Sequence, residues 1–207
     1  MTTSSADTLA QRRPAATLAD LLAFPGFSPA LRSVLLVAGG AALTALAAQV
    51  AFTVPWTPVP YTLQTGAVLL VGTALGMWRG AAAMGLYVLA GSVGLPVYAE
   101  GAAGLDRLLG FSGGYLVAFV LAAALVGRLA QLGWDRTWWR TAVLMVGGTL
   151  LIYALGVPVL AATTGMAIGD AIWNGAAVFV PWDAAKVAIA MLGLPLAWRL
   201  VGRQSRE

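Results

Sequence analysis

Apolar residues occupy most of this chain in long runs, broken by short clusters of proline, glycine and charge. Six runs stand out, at about 33–54, 63–77, 80–95, 113–131, 140–161 and 183–201. A helix rises about 1.5 Å per residue, so roughly 20 apolar residues cross the hydrocarbon of a bilayer. The pattern predicts an all-α membrane domain over 33–201 with six spanning helices. The second and third are short and read as a tight hairpin, separated only by Trp78-Arg79. Between the first and second runs, Val54–Tyr61 carries Pro55, Pro58 and Pro60, which forbid helix and predict an extended loop.

Residues 1–32 are polar to mixed and read as a cytoplasmic leader, and 202–207 as a cytoplasmic tail. Arg12-Arg13 invites a twin-arginine signal, but Pro14 follows and no clean apolar stretch with a small-residue cleavage site comes next. A short interfacial helix over 17–31, interrupted at Pro25-Gly26, is the alternative to a plain tail.

Composition settles the class. Hydrophobic residues make up 60% and charged residues 10% of 207, against about 25% charged in a soluble domain. Mean hydropathy is +0.85. Cysteine and histidine are absent, which removes disulfides, Cys/His metal sites, thiol nucleophiles and imidazole bases together. The sole lysine, Lys186, follows Ala185, so no phosphate-binding Gly-Lys-Ser/Thr loop exists and the chain cannot hydrolyse ATP by that route. No cofactor is expected. The net charge of +4 comes from arginines dispersed at the ends of apolar runs, a pattern of membrane anchors and not of a nucleic-acid stripe.

Those arginines also predict orientation. Alternating spans put Arg12, Arg13, Arg32, Arg79, Arg128, Arg136, Arg140, Arg199, Arg203 and Arg206 on one side and only Arg107 on the other. The positive side is cytoplasmic, so both termini are expected there. This topology collects Gln64, Glu100, Asp106, Arg107, Tyr115, Asp170, Asn174, Asp183 and Lys186 at the outer face, which predicts a pocket open to the outside.

Asp183 and Lys186 stand three apart at the start of the sixth run, on one helix face. Ionisable groups within a membrane segment are costly and mark function by default. The competing reading is a salt bridge that fixes packing, or an aspartate capping its own helix after Pro181. Arg107 can clamp a carboxylate bidentately, or pair with Asp106 or lipid headgroups. Gln64 opens the second run, where its amide serves a ligand, a cap or a neighbouring helix. Tyr115 follows Gly113-Gly114, a flexible turn that lets a phenol approach a ligand closely. Trp56, Tyr98, Phe111 and Trp182 read first as interface anchors. In the first run Ala38 and Ala42 are four apart, as are Ala41 and Ala45, giving small-residue ridges for packing inside the chain or for docking another membrane subunit.

In their order these segments resemble the BioY family, the biotin-specific substrate-capture (S) components of energy-coupling factor (ECF) transporters. The resemblance covers roughly 38–200. It is carried by Pro58-Val59-Pro60-Tyr61-Thr62-Leu63-Gln64, Leu75-Gly76-Met77-Trp78-Arg79-Gly80, Leu86-Tyr87 through Gly94-Leu95-Pro96-Val97-Tyr98, Gly113-Gly114-Tyr115 and Asp183-Ala184-Ala185-Lys186. This chain has Phe111-Ser112 where the family usually has Pro-Thr, and the serine keeps a hydroxyl. The resemblance implies a six-helix S-component bundle in the bacterial cytoplasmic membrane, with biotin held near the outer face. Gln64, Arg107, Tyr115, Asp183 and Lys186 become the implied biotin contacts. Ala38, Ala41, Ala42 and Ala45 become the implied docking surface for a transmembrane coupling subunit attached to ATP-binding cassette ATPases. A stand-alone proton-coupled transporter of biotin or a related vitamin is the rival reading. An intramembrane enzyme using Asp183 and Asp170 has neither histidine, cysteine nor metal motif to support it.

Overall fold

The computed structural model describes residues 17–21 and 26–204, with side chains to 200. Arg12, Arg13, the Pro25 interruption, Arg206 and the side chain of Arg203 lie outside the described residues. Helix α1 spans Pro29–Gln49, starting before the predicted 33 because Ser28 caps it: its hydroxyl accepts from Leu31 N at 3.2 Å, and Pro29 pre-sets the first turn. Strands β1 (Ala51–Val54) and β2 (Thr57–Thr62) follow, then α2 (Gln64–Leu75) and α3 (Met77–Ser92). Short α4 (Leu105–Leu109) precedes α5 (Gly113–Gln131). The chain continues through α6 (Trp138–Thr164), short α7 (Ile168–Gly175) and α8 (Val180–Gln204). Helices α1, α2, α3, α5, α6 and α8 correspond to the six apolar runs. Among the described residues four stretches, 29–49, 113–131, 138–164 and 168–200, are long and apolar enough to cross a membrane, whereas α2 with 12 residues and α3 with 16 are shorter.

Other boundaries also differ from the sequence reading. The first run ends its helix at Gln49, and 51–62 form an antiparallel ribbon that pairs Ala51 with Thr62, Phe52 with Tyr61 and Val54 with Thr57. The prolines of β2 lack N–H donors, which a two-stranded ribbon tolerates because every strand in it is an edge. The break between α2 and α3 is Gly76, at φ +83°, while Trp78 and Arg79 lie in the first turn of α3. The fold class is therefore helical with one added ribbon. Part of the supposed leader also docks: Thr17 and Ala19 are buried, Arg32 donates to Ala19 O at 2.7 Å, and Arg79 bridges Asp20 at 2.7 Å.

Helix α5 is the hub. It packs on α2, α3 and α6, while α1 lies on α2 and α3 and α8 lies on α6. Ala118, Ala122, Ala123 and Val126 of α5 are fully buried. Small residues allow this closeness in lipid, where association rests on packing and not on the hydrophobic effect. The outward faces carry exposed Leu46, Leu89, Leu121, Leu150 and Leu192, as a hydrocarbon-facing surface requires. On α1 the two alanine ridges separate. Ala38 and Ala42 are exposed, but Ala41 is buried in the core and Ala45 half-buried, so the expected docking surface loses its inner ridge. Equal spacing does not say which ridge faces the bundle.

At the end that gathers the arginines, Asp135 is wholly buried between α5 and α6. Its Oδ2 accepts from Trp198 Nε1 of α8 at 2.6 Å, and its Oδ1 has no partner among the described residues. Burial raises its carboxyl above the ordinary 3.8, against opposing pulls from the Trp198 and backbone N–H groups and the Arg136 guanidinium. The folded state therefore favours the protonated acid. That contribution to stability is complete below about pH 3.8 and is lost as pH rises through the raised folded-state value. Asp135→Asn keeps an oxygen for Trp198 and cannot ionise. It should melt above the wild type near neutral pH, with the gap narrowing as pH falls toward 4, read by thermal unfolding in detergent across that range. A gap independent of pH would contradict this reading.

Candidate functional site

The chain segments at the face opposite the arginines enclose a cleft of about 760 Å³, its open mouth included. The β1–β2 ribbon forms one wall, the 98–112 segment the other, and the start of α5 the floor. A smaller cavity of about 300 Å³ adjoins it, sharing Val59, Pro60, Thr62, Thr65 and Tyr115, and reaching Tyr153, Asp183 and Lys186.

Each wall is fixed by identifiable bonds. Thr57 Oγ1 donates to Asn174 O at 2.6 Å, Tyr61 Oη to Val178 O at 3.0 Å, and Trp182 Nε1 to Thr62 O at 3.0 Å. Phe52 stacks on Tyr61 at 5.0 Å, and Tyr61 meets Phe179 at 4.5 Å. The ribbon is thereby tied to the region between α7 and the start of α8. On the other side Gln49 reaches from α1. Its Nε2 donates to Tyr98 O at 3.1 Å, and its Oε1 accepts from Gly101 N at 3.0 Å. Between them Glu100 is held at φ +59°, the only non-glycine with positive φ among the described residues, and it lines the cleft. Tyr98 is buried, not an interface anchor, and donates to Val88 O at 2.7 Å.

The five residues expected at a ligand all line these joined cavities, in different states. Arg107 is exposed at the rim of the cleft and forms no salt bridge among the described residues, with Asp106 or otherwise. Gln64 is buried and donates from Nε2 to Tyr87 Oη at 2.7 Å. Tyr115 is already committed: its hydroxyl donates to Gly175 O at 2.9 Å, and its ring fills a slot that side chains at Gly156 or Gly175 would close. Its role in the fold is therefore a buttress between α5, α6 and α7.

Asp183 and Lys186 do pair, with Nζ 2.9 Å from Oδ1 and both side chains largely buried. Lys186 Nζ also donates to Thr65 Oγ1 at 2.6 Å and lies 5.8 Å from the Trp182 ring centroid. Tyr153 donates to the second oxygen of Asp183. The aspartate lies inside α8 and does not cap it. The lysine stem crosses α2 at Gly66, where a β-carbon would sit 3.2 Å from Lys186 Cδ and the stem would have to give by a few tenths of an ångström.

Tyr153 and Thr65 are not singled out by the sequence, and Tyr87 enters there only as part of the Leu86-Tyr87 segment of the resemblance. A phenol within an apolar span was a visible signal for Tyr153 and Tyr87. Thr65 had none beyond its place beside Gln64. The site thus offers a guanidinium at its rim, free of salt bridges among the described residues, and, deeper, an ion pair whose carboxylate and ammonium can accept and donate side by side. An elongated ligand with an anionic end and a polar, uncharged ring would match both.

The BioY family model matches residues 15–203. The biotin transporter BioY of Thermotoga maritima is 40% identical over 139 residues, covering 67% of this chain and 80% of that protein. The probable biotin transporter BioY of Pyrococcus horikoshii is 34% identical over 171 residues, covering 83% and 97%. Among solved structures, the crystal structure at 2.1 Å of the S-component for biotin from an ECF-type ABC transporter matches at a TM-score of 0.73. It is 21% identical, with 88% of this chain and 96% of that one covered.

Proposed function

This chain belongs to the BioY family, and from that premise we propose that it binds biotin at the outer face of a membrane as the capture subunit of an uptake transporter. The observation that carries the reading is the buried Asp183–Lys186 pair lining a cavity that adjoins a cleft with Arg107 exposed at its rim. Biotin has a carboxylate at one end and a ureido ring with two N–H donors and a carbonyl at the other. Asp183 accepts from the ureido N–H groups and Lys186 donates to its carbonyl, while Arg107, or Gln64, holds the carboxylate. Tyr115 shapes the wall between them. Calorimetry with biotin, dethiobiotin, thiamine and riboflavin tests this. Absence of biotin binding would overturn the ligand assignment.

The chain acts by binding and reorientation and not by catalysis, in a bacterial cytoplasmic membrane. Energy comes from ATP-binding cassette ATPases through a transmembrane coupling subunit. Tight capture alone cannot concentrate a ligand, because binding both states equally shifts nothing. Concentrative biotin uptake, driven by a pH gradient in cells lacking coupling subunits, would favour the proton-coupled rival.

The exposed Ala38–Ala42 ridge of α1 is the docking surface we assign to the coupling subunit. Ala42→Trp should leave biotin binding intact and abolish uptake of radiolabelled biotin when coupling subunits are present. Normal uptake by this variant would place the partner elsewhere. Ala41→Trp is no substitute as a test, since that side chain points into the core.

A further inference from the structure

A crevice of about 800 Å³, mouth included, lies behind the ion pair and opens sideways. Its back wall is α2. Its lips are α1, through Leu43 and Ala47, and α8, through Ile189. Helices α1 and α8 scarcely meet: α1 packs on α2 and α3, and α8 on α6, leaving a gap between them. Leu43 and Ile189 at the lips are 53% and 69% exposed, so the gap faces what surrounds the bundle. Thr65, Asp183 and Lys186 line both this crevice and the small ligand-side cavity, so the ion pair stands where the two adjoin.

We propose that this crevice is a lipid site, filled by an acyl chain of the surrounding bilayer that packs against the Lys186 stem. The crevice is continuous with the hydrocarbon-facing surface of two membrane-spanning helices. Its walls are mostly leucine, alanine, valine and isoleucine. Among the polar side chains of its lining, Lys186 donates to Asp183 and Thr65, and Asp183 also accepts from Tyr153, which leaves the Thr149 hydroxyl as the one polar group outside that network. Water there would find few of the two to four partners it needs. An empty groove would forfeit dispersion contacts along its whole lining. Hydrocarbon is the occupant that satisfies the walls, and it keeps water from the far side of the ion pair. The inference rests on membrane insertion and is independent of which ligand the outer cleft takes.

The test uses the full chain in nanodiscs containing a phospholipid with a diazirine in its acyl chain. After illumination, mass spectrometry should find adducts on the crevice walls of α2 and α8. Leu43→Trp or Ala47→Trp should cut these at least fivefold, while adducts near Val117 and Leu121 on the outer face of α5 stay unchanged. Wall adducts that survive both substitutions, or none in the wild type, would overturn the proposal. A second measurement does not depend on the tryptophan variants folding. The chain has no native cysteine, so an Ala47→Cys thiol is unique. It should react at least tenfold faster with a membrane-soluble maleimide than with a charged, water-soluble one. Equal rates would mean a wet crevice and would equally overturn the lipid assignment. Biotin affinity is read separately on the same sample, so a failure of ligand binding leaves this result interpretable.

Discussion

A Lys186→Ala variant should insert and fold yet bind biotin at least about tenfold more weakly, a loss of about 1.4 kcal/mol or more. Two effects add. The ligand loses a charged donor, and a hydrogen bond to a charged group is worth roughly 1.5–3 kcal/mol. Asp183 also loses its counter-ion in a largely buried position and keeps only the Tyr153 hydroxyl. Uncompensated buried charge is expensive, so part of the loss belongs to the aspartate and not to the ligand contact. Lys186→Met separates stem from charge, since it retains hydrocarbon across Gly66. Pairing it with Asp183→Asn closes a double-mutant cycle that isolates the coupling. Isothermal calorimetry in detergent is the measurement. Unchanged affinity in Lys186→Ala would return the pair to a packing role.

The largest effect on stability is expected at the glycines where α2, α3 and α5 touch. A β-carbon on Gly127 would meet Gly76 C at 2.5 Å and Met77 N at 2.6 Å, and one on Gly72 would meet Ala123 Cα at 2.7 Å. These obstacles are backbone and cannot rotate away. Gly80 fits against Gly72 in the same seam, at 2.8 Å from its Cα. Gly127→Ala or Gly72→Ala must therefore push two helices apart. The expected cost is at the upper end of the roughly 1–3 kcal/mol typical of overpacked cores, or beyond it. Gly147→Ala is the control, because nothing lies within 4 Å of its added carbon. Size-exclusion profiles and thermal unfolding of the three variants decide the matter. Equal behaviour of all three would show that the seam can yield.

Much of this architecture was legible because a bilayer imposes long apolar runs, and charge asymmetry orders their ends. What escaped had physical reasons. Ala51–Val54 is as apolar as the helix before it, so no compositional break marks where α1 gives way to a strand. Helix α7 is only eight residues long and sits within what reads as an outer loop. The Asp183–Lys186 pairing was visible because both partners share one helical turn. Tyr153 and Thr65 stand 30 and 121 residues from their partners, and only the fold brings them there. The phenol of Tyr115 illustrates the converse: its position beside the cleft was foreseeable, its prior commitment to Gly175 was not.

The β1–β2 ribbon has a further consequence as a depth gauge. Two strands paired only with each other leave outward-facing carbonyls, and N–H groups wherever proline is absent, that need water. Each such group drawn unshielded into hydrocarbon costs several kcal/mol. For a bundle seated in a bilayer, these groups favour a cleft mouth held at the waterline, like a float. Any transport motion that tips the bundle and carries that mouth across the bilayer must first sheath both strand edges, so the surface that receives the tipped molecule has to supply hydrogen-bonding groups as well as apolar area.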